Sequence, residues 1–115
     1  MTIALVLFAL AAVGGLVMAT QRFRGAERPA LGLAVVHGAA AAAGLIALIV
    51  AVTGGSVPSL ARTALIVFLV AALGGFFLFA QHVQKKALPI PVMVIHALVA
   101  VTGFVLLLVA VTHIA

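Results

Sequence analysis

Four long apolar runs leave this chain few folds to choose from. Thr2 to Thr20 carries no charged residue. Comparable runs cover Ala30–Thr53, Leu60–Ala80 (interrupted by Arg62 alone) and the stretch from Pro89 onward. A helix rises about 1.5 Å per residue, so about 20 residues cross a hydrocarbon core of about 30 Å. Of the 115 residues, 68% are hydrophobic and 6% charged, against about 25% charged in soluble domains. Such a chain cannot coat a water-facing surface with polar groups, but it can coat a lipid-facing one. The expectation is a single-domain, all-α integral membrane protein, a four-helix bundle with helices at about 2–20, 30–53, 60–80 and 89–114. The first run lacks the basic flank of a signal peptide and its pattern recurs later, so it is read as a helix of the mature protein.

The connections carry turn chemistry. Gln21 to Pro29 is a short polar loop, and Arg28-Pro29 suits a helix start. Gly54-Gly55-Ser56-Val57-Pro58-Ser59 is a turn cluster, with Ser59 placed to cap the third helix. Gln81 to Leu88 is a second basic loop, after which Pro89 and Pro91 open the fourth helix. The net charge of +5 could suggest a nucleic-acid binder, but its placement argues otherwise. Arg22, Arg24 and Arg28 share one loop, and Lys85 and Lys86 share the other. That is the positive-inside pattern. It places both basic loops on the cytoplasmic side of a bacterial-type cell membrane and both termini outside, with Arg62 alone opposing.

The chain reads as a tandem repeat, with repeat A at 1–55 and repeat B at 60–115. Ala11-Ala12-Val13-Gly14-Gly15 returns as Ala71-Ala72-Leu73-Gly74-Gly75. Gln21 returns as Gln81 and Pro29 as Pro89, all at an offset of 60. After one deletion the offset becomes 59, for His37 and His96, Gly44 and Gly103, and Val50-Ala51-Val52-Thr53 and Val109-Ala110-Val111-Thr112. Internal repeats fix architecture. Two-helix units of this kind share one orientation and are related by an axis along the membrane normal.

An ionisable residue within a membrane helix marks a functional site by default. His37 and His96 each open the same face: His37, Ala41, Gly44 and His96, Ala100, Gly103. Both lie about 10–12 Å in from the basic side, and the pairs Gly14-Gly15 and Gly74-Gly75 lie about 9 Å in. Around an antiparallel bundle in sequential order, the second and fourth helices are diagonal, as are the first and third. The histidines then confront each other across the centre, and the glycine pairs occupy the other diagonal. That layout suits a porphyrin, with an imidazole on each face and missing side chains at its edges. Ala41, Ala100, Gly44 and Gly103 would keep the histidine faces low enough for a flat ring. Haem iron takes histidine ligands, and with no cysteine the haem b would be held non-covalently. Arg22 and Lys85, with the neighbouring cations and Gln21 and Gln81, lie where propionates would emerge.

In these residues the chain resembles the membrane b-type cytochromes, the four-helix haem bundles of the cytochrome b and b561-like group. The resemblance rests on His37 and His96 on alternate helices and on Gly14, Gly15, Gly74 and Gly75 on the intervening ones. It covers the whole bundle in layout but few residues in identity. It implies a one-electron carrier with quinone as a partner, either a redox enzyme in its own right or the haem subunit of one. The chain departs from the group in lacking a second histidine pair, so one haem is expected rather than two.

Two other functions compete. One is a non-redox structural or assembly subunit, with glycine faces packed against partner subunits or a second copy. The other is a small dimeric transporter, which here would lack a membrane-embedded carboxylate because Glu27 lies in a loop. His82 and His113 read as interfacial side chains, and Met18 and Met93 as apolar packing.

Overall fold

The computed structural model describes residues 1–113. It is all-helical: α1 (Thr2–Phe23), α2 (Leu31–Thr53), α3 (Ser59–Val83) and α4 (Ile90–Thr112). All four helices are long and apolar enough to cross a membrane. They lie alongside one another in a bundle 44 × 19 × 19 Å across. The backbones of helices adjacent in chain order approach closely, as do those of α1 and α4, while the diagonal pairs meet only through side chains. The circular order is therefore sequential, with α2 opposite α4 and α1 opposite α3.

Helix ends differ from expectation where polar residues are good helix formers. α1 runs on to Phe23 and α3 to Val83, so Gln21, Arg22, Gln81 and His82 lie in last turns rather than in loops. Apolarity ends at Thr20 and Ala80, but glutamine and arginine favour helix, and cations suit a helix C-terminus. Ser59 is the first residue of α3, not its cap. Pro58 holds that position, and the Ser59 carbonyl accepts from the Thr63 hydroxyl. α2 begins at Leu31, with the Ala30 amide donating to Gln21 Oε1. The expected end of the fourth helix at residue 114 lies outside the described residues.

The helices pack more closely within the α1–α2 and α3–α4 hairpins than across the seam between them. The main core lies toward the end away from the basic loops. It consists of Ala4, Phe8 and Leu48 from one hairpin and Ala64, Phe68 and Leu107 from the other. The Phe8 and Phe68 rings stack across the α1–α3 diagonal, with centroids 3.8 Å apart and planes 3° from parallel. Gly44 and Gly103 make room for them: a Cβ on Gly44 would stand 3.3 Å from the Phe8 ring, and one on Gly103 would stand 3.2 Å from Phe68. A smaller cluster of Leu78, Leu88 and Met93 closes the basic end.

The stack predicts an ordering of stabilities. Truncating a buried phenylalanine costs about 3–5 kcal/mol. Phe8→Ala is therefore expected to lower the thermal midpoint of the detergent-solubilised protein well below that of Phe76→Ala, whose side chain is 71% exposed. Equal midpoints would mean that the stack does not hold the hairpins together.

Candidate functional site

His37 and His96 meet across the α2–α4 diagonal. Their ring centroids are 6.3 Å apart and their planes cross at 82°. Both are half-buried. Each ring is fixed by one hydrogen bond to the other helix of its own hairpin. His37 Nδ1 donates to the Ala11 carbonyl at 2.7 Å, and His96 Nδ1 donates to the Ala71 carbonyl at 2.8 Å. A carbonyl can only accept, so each bond places the proton on Nδ1. Nε2 of the neutral ring is then the lone-pair nitrogen, and among the described residues neither Nε2 has a hydrogen-bond partner.

The glycine pairs lie against these rings. A Cβ on Gly15 would be 3.1 Å from His37 Cε1, and one on Gly75 would be 3.2 Å from His96 Cε1. Gly14 and Gly74 face the histidine Cβ atoms at 3.5 and 3.4 Å. The glycines expected at the edges of a porphyrin thus seat the imidazoles, each pair serving its own hairpin. Ala41 and Ala100 are half-buried one turn beyond the histidines. Beyond them, Gly44 and Gly103 are covered by the phenylalanine stack, so the face expected to stay low for a flat ring is occupied at that end. The physical reason is that a packed interior leaves few voids, and glycine faces on facing helices admit large side chains.

The basic end is a clasp between the two loops. Arg22 Nε donates to the Leu88 carbonyl at 2.9 Å, and a second Arg22 nitrogen reaches the Ala26 carbonyl at 3.4 Å. Arg28 donates to the Lys85 carbonyl at 2.7 Å, and the Leu88 amide donates to the Glu27 carbonyl at 2.9 Å. His82, expected to be interfacial, is buried and donates from Nε2 to the Pro29 carbonyl at 2.7 Å. Arg22 and His82 sit 60 residues apart, and each reaches into the opposite loop. That equivalence was the available signal for a buried His82. Gly25 and Lys85, also 60 apart, turn the loops with φ of 107° and 58°. Arg22 is thus committed in part to loop carbonyls, whereas the Lys85 side chain is exposed. His113 ends α4 as an exposed cap, and Met93 packs in the small core.

Among the described residues, no three His, Cys, Asp or Glu side chains converge as a metal-binding group. A metal between the two imidazoles would need its remaining ligands from elsewhere. Two open grooves lie on the bundle surface, of ≈ 390 Å³ along α1 by Thr20 and Arg24 and of ≈ 270 Å³ between α3 and α4 by Val70 and Thr102. Neither is lined by His37 or His96. No known family model, curated protein or solved structure matches the chain, so the site is read from its own residues.

The clasp yields a second expectation. Removing the His82 donor leaves the Pro29 carbonyl buried and unpaired, at a cost of about 1–3 kcal/mol. His82→Ala should therefore lower the thermal midpoint and increase proteolysis in the Gln84–Ala87 loop, whereas His113→Ala should change neither. An unchanged His82→Ala protein would show that the clasp contributes no stability.

Proposed function

We propose that the chain is an integral membrane b-type cytochrome, built from two copies of a helical hairpin, that carries electrons through one haem held by His37 and His96. The observation that carries this reading is the pair of confronting imidazoles whose Nε2 atoms have been left free by the Nδ1 bonds. Metal–nitrogen bonds run about 2 Å, so His37 and His96 could hold one ion only if their rings lie within a few ångströms of each other. Their ring centres are 6.3 Å apart. Histidine ligands of metals characteristically give their other N–H to a carbonyl or carboxylate, as both do here.

The donor set fits haem in particular. Two protein ligands suffice when a porphyrin supplies the other four nitrogens, and among the described residues no third His, Cys, Asp or Glu joins the pair. His37 and His96 would hold the group at the looser seam between the hairpins, between the level of Phe8 and Phe68 and the basic loops. Haem, when bound, supplies a one-electron iron couple. The chain's own residues aim the two nitrogens, exclude water with a largely apolar layer, and set Lys85 and the spare Arg22 donors at the end where propionates would lie. Quinone as the electron partner follows from likeness to b-type cytochromes alone, and no residue here is assigned to it.

The rival structural reading accounts for the Nδ1 bonds, which tie α1 to α2 and α3 to α4. It leaves the Nε2 atom of each ring without a hydrogen-bond partner among the described residues. A reduced-minus-oxidised visible spectrum of the detergent-purified protein separates the two readings. A six-coordinate, low-spin b-type spectrum is expected, lost in both His37→Ala and His96→Ala. A colourless protein that takes up no added haem, or a spectrum that survives either substitution, would end the proposal.

The orientation is open to test because the chain has no cysteine. Single cysteines at Lys86 and at Gly55 should react with membrane-impermeant thiol reagents from opposite sides, Lys86 from the cytoplasm. The reverse pattern would place the basic loops outside.

A further inference from the structure

In an α-helix, the side chain of residue i+4 stands beside the carbonyl of residue i, because the two meet in one hydrogen-bonded turn. That carbonyl has a second lone pair, but a side chain at i+4 crowds the approach to it. Gly15 is i+4 from Ala11, and Gly75 is i+4 from Ala71. These are the two carbonyls that receive the imidazole protons. A methyl group at either glycine would stand 3.1–3.2 Å from the bonded histidine's Cε1, closer than ordinary contact. Backbone conformation does not explain either glycine, since both lie within regular helix.

We propose that Gly15 and Gly75 are positioning residues that uncover the Ala11 and Ala71 carbonyls, so that each histidine is held as the Nδ1–H tautomer with Nε2 free. The two halves of the bundle supply independent instances of the same geometry. Gly14 and Gly74 do not share the role, because a Cβ there would make ordinary contact at 3.4–3.5 Å. The haem reading gives the free Nε2 its use, and to that extent this inference rests on it. The tautomer itself is a property of the chain without haem.

The test is therefore made first on the full chain prepared without haem, labelled with ¹⁵N-histidine in detergent micelles. The ¹⁵N shifts of His37 and His96 are expected to report Nδ1–H, against the Nε2–H form that neutral histidine otherwise favours. Gly15→Ala should move His37 toward Nε2–H and leave His96 unchanged, and Gly75→Ala should do the converse. Gly38→Ala, with nothing within 4 Å of the added atom, should alter neither. After haem addition, Gly15→Ala should bind roughly 10–100-fold more weakly, the usual loss when a ligand's orienting partner is disturbed. Wild-type rings in the Nε2–H form would overturn the inference without any variant. So would a Gly15→Ala protein that keeps His37 as Nδ1–H, whatever its haem affinity. Failure of the wild-type chain to bind haem, with the tautomers as expected, would instead overturn only the haem reading.

Discussion

The bond from histidine Nδ1 to a helix carbonyl is the constraint on which the middle of this bundle depends. An imidazole in an apolar layer carries an N–H that water cannot serve. Left unpaired, it costs about 1–3 kcal/mol, and more where no water reaches at all. The chain meets that demand by giving the proton to an α1 or α3 carbonyl that already serves its own helix. Much else in the layer follows from this choice. The ring must lie close along the neighbouring helix, so the residues beneath it must be small. The helices of each hairpin must approach closely, and they do so more than the hairpins approach each other. The proton is fixed on one nitrogen, and the lone pair is left on the other.

The two hairpins are then joined at separate levels by different means. Away from the basic loops, two phenyl rings stack face to face at 3.8 Å. At the basic end, polar side chains reach from one loop into the backbone of the other. Between these levels, the histidines cross edge to face. Joining the hairpins at both ends of the seam sets how far apart the two rings stand between them.

Much of this was legible in the residues. Run length gave the four helices, and the offsets of 60 and 59 paired His37 with His96 and each glycine with its counterpart. Sequential order around the bundle put the histidines opposite each other. What pattern did not give was the occupant of a glycine face. Gly14, Gly15, Gly74 and Gly75 announce that something comes close, but a missing side chain is equally consistent with a macrocycle edge, a helix or an imidazole. The spacing from Ala11 to Gly15 and from Ala71 to Gly75, one hydrogen-bonded turn, held the clue. It becomes informative only once a proton donor is known to lie across from it. The small face at Ala41 and Gly44 was misjudged for a related reason, since Phe8 lies one turn before Ala11 on the facing helix. The helices run past Gln21 and Gln81 because loss of apolarity is not loss of helix propensity. His82 was missed because a polar residue beside a loop looks solvated until its carbonyl acceptor is seen.

A symmetry argument bears on what the centre is for. When two equivalent halves each fix the imidazole proton on Nδ1, both remaining nitrogens are acceptors. Two acceptors cannot hydrogen-bond to each other, so like tautomers brought to a 6.3 Å ring separation form no bond between themselves. A histidine pair serving only to join hairpins would gain from opposite tautomers, one donating to the other. Equivalence of the two seats rules that arrangement out. Two equal lone pairs are satisfied at once by a partner that offers both the same thing, either a double donor such as one water between them or a cation. Because both seats hold the proton on the same nitrogen, the centre suits only a partner that meets the two rings alike.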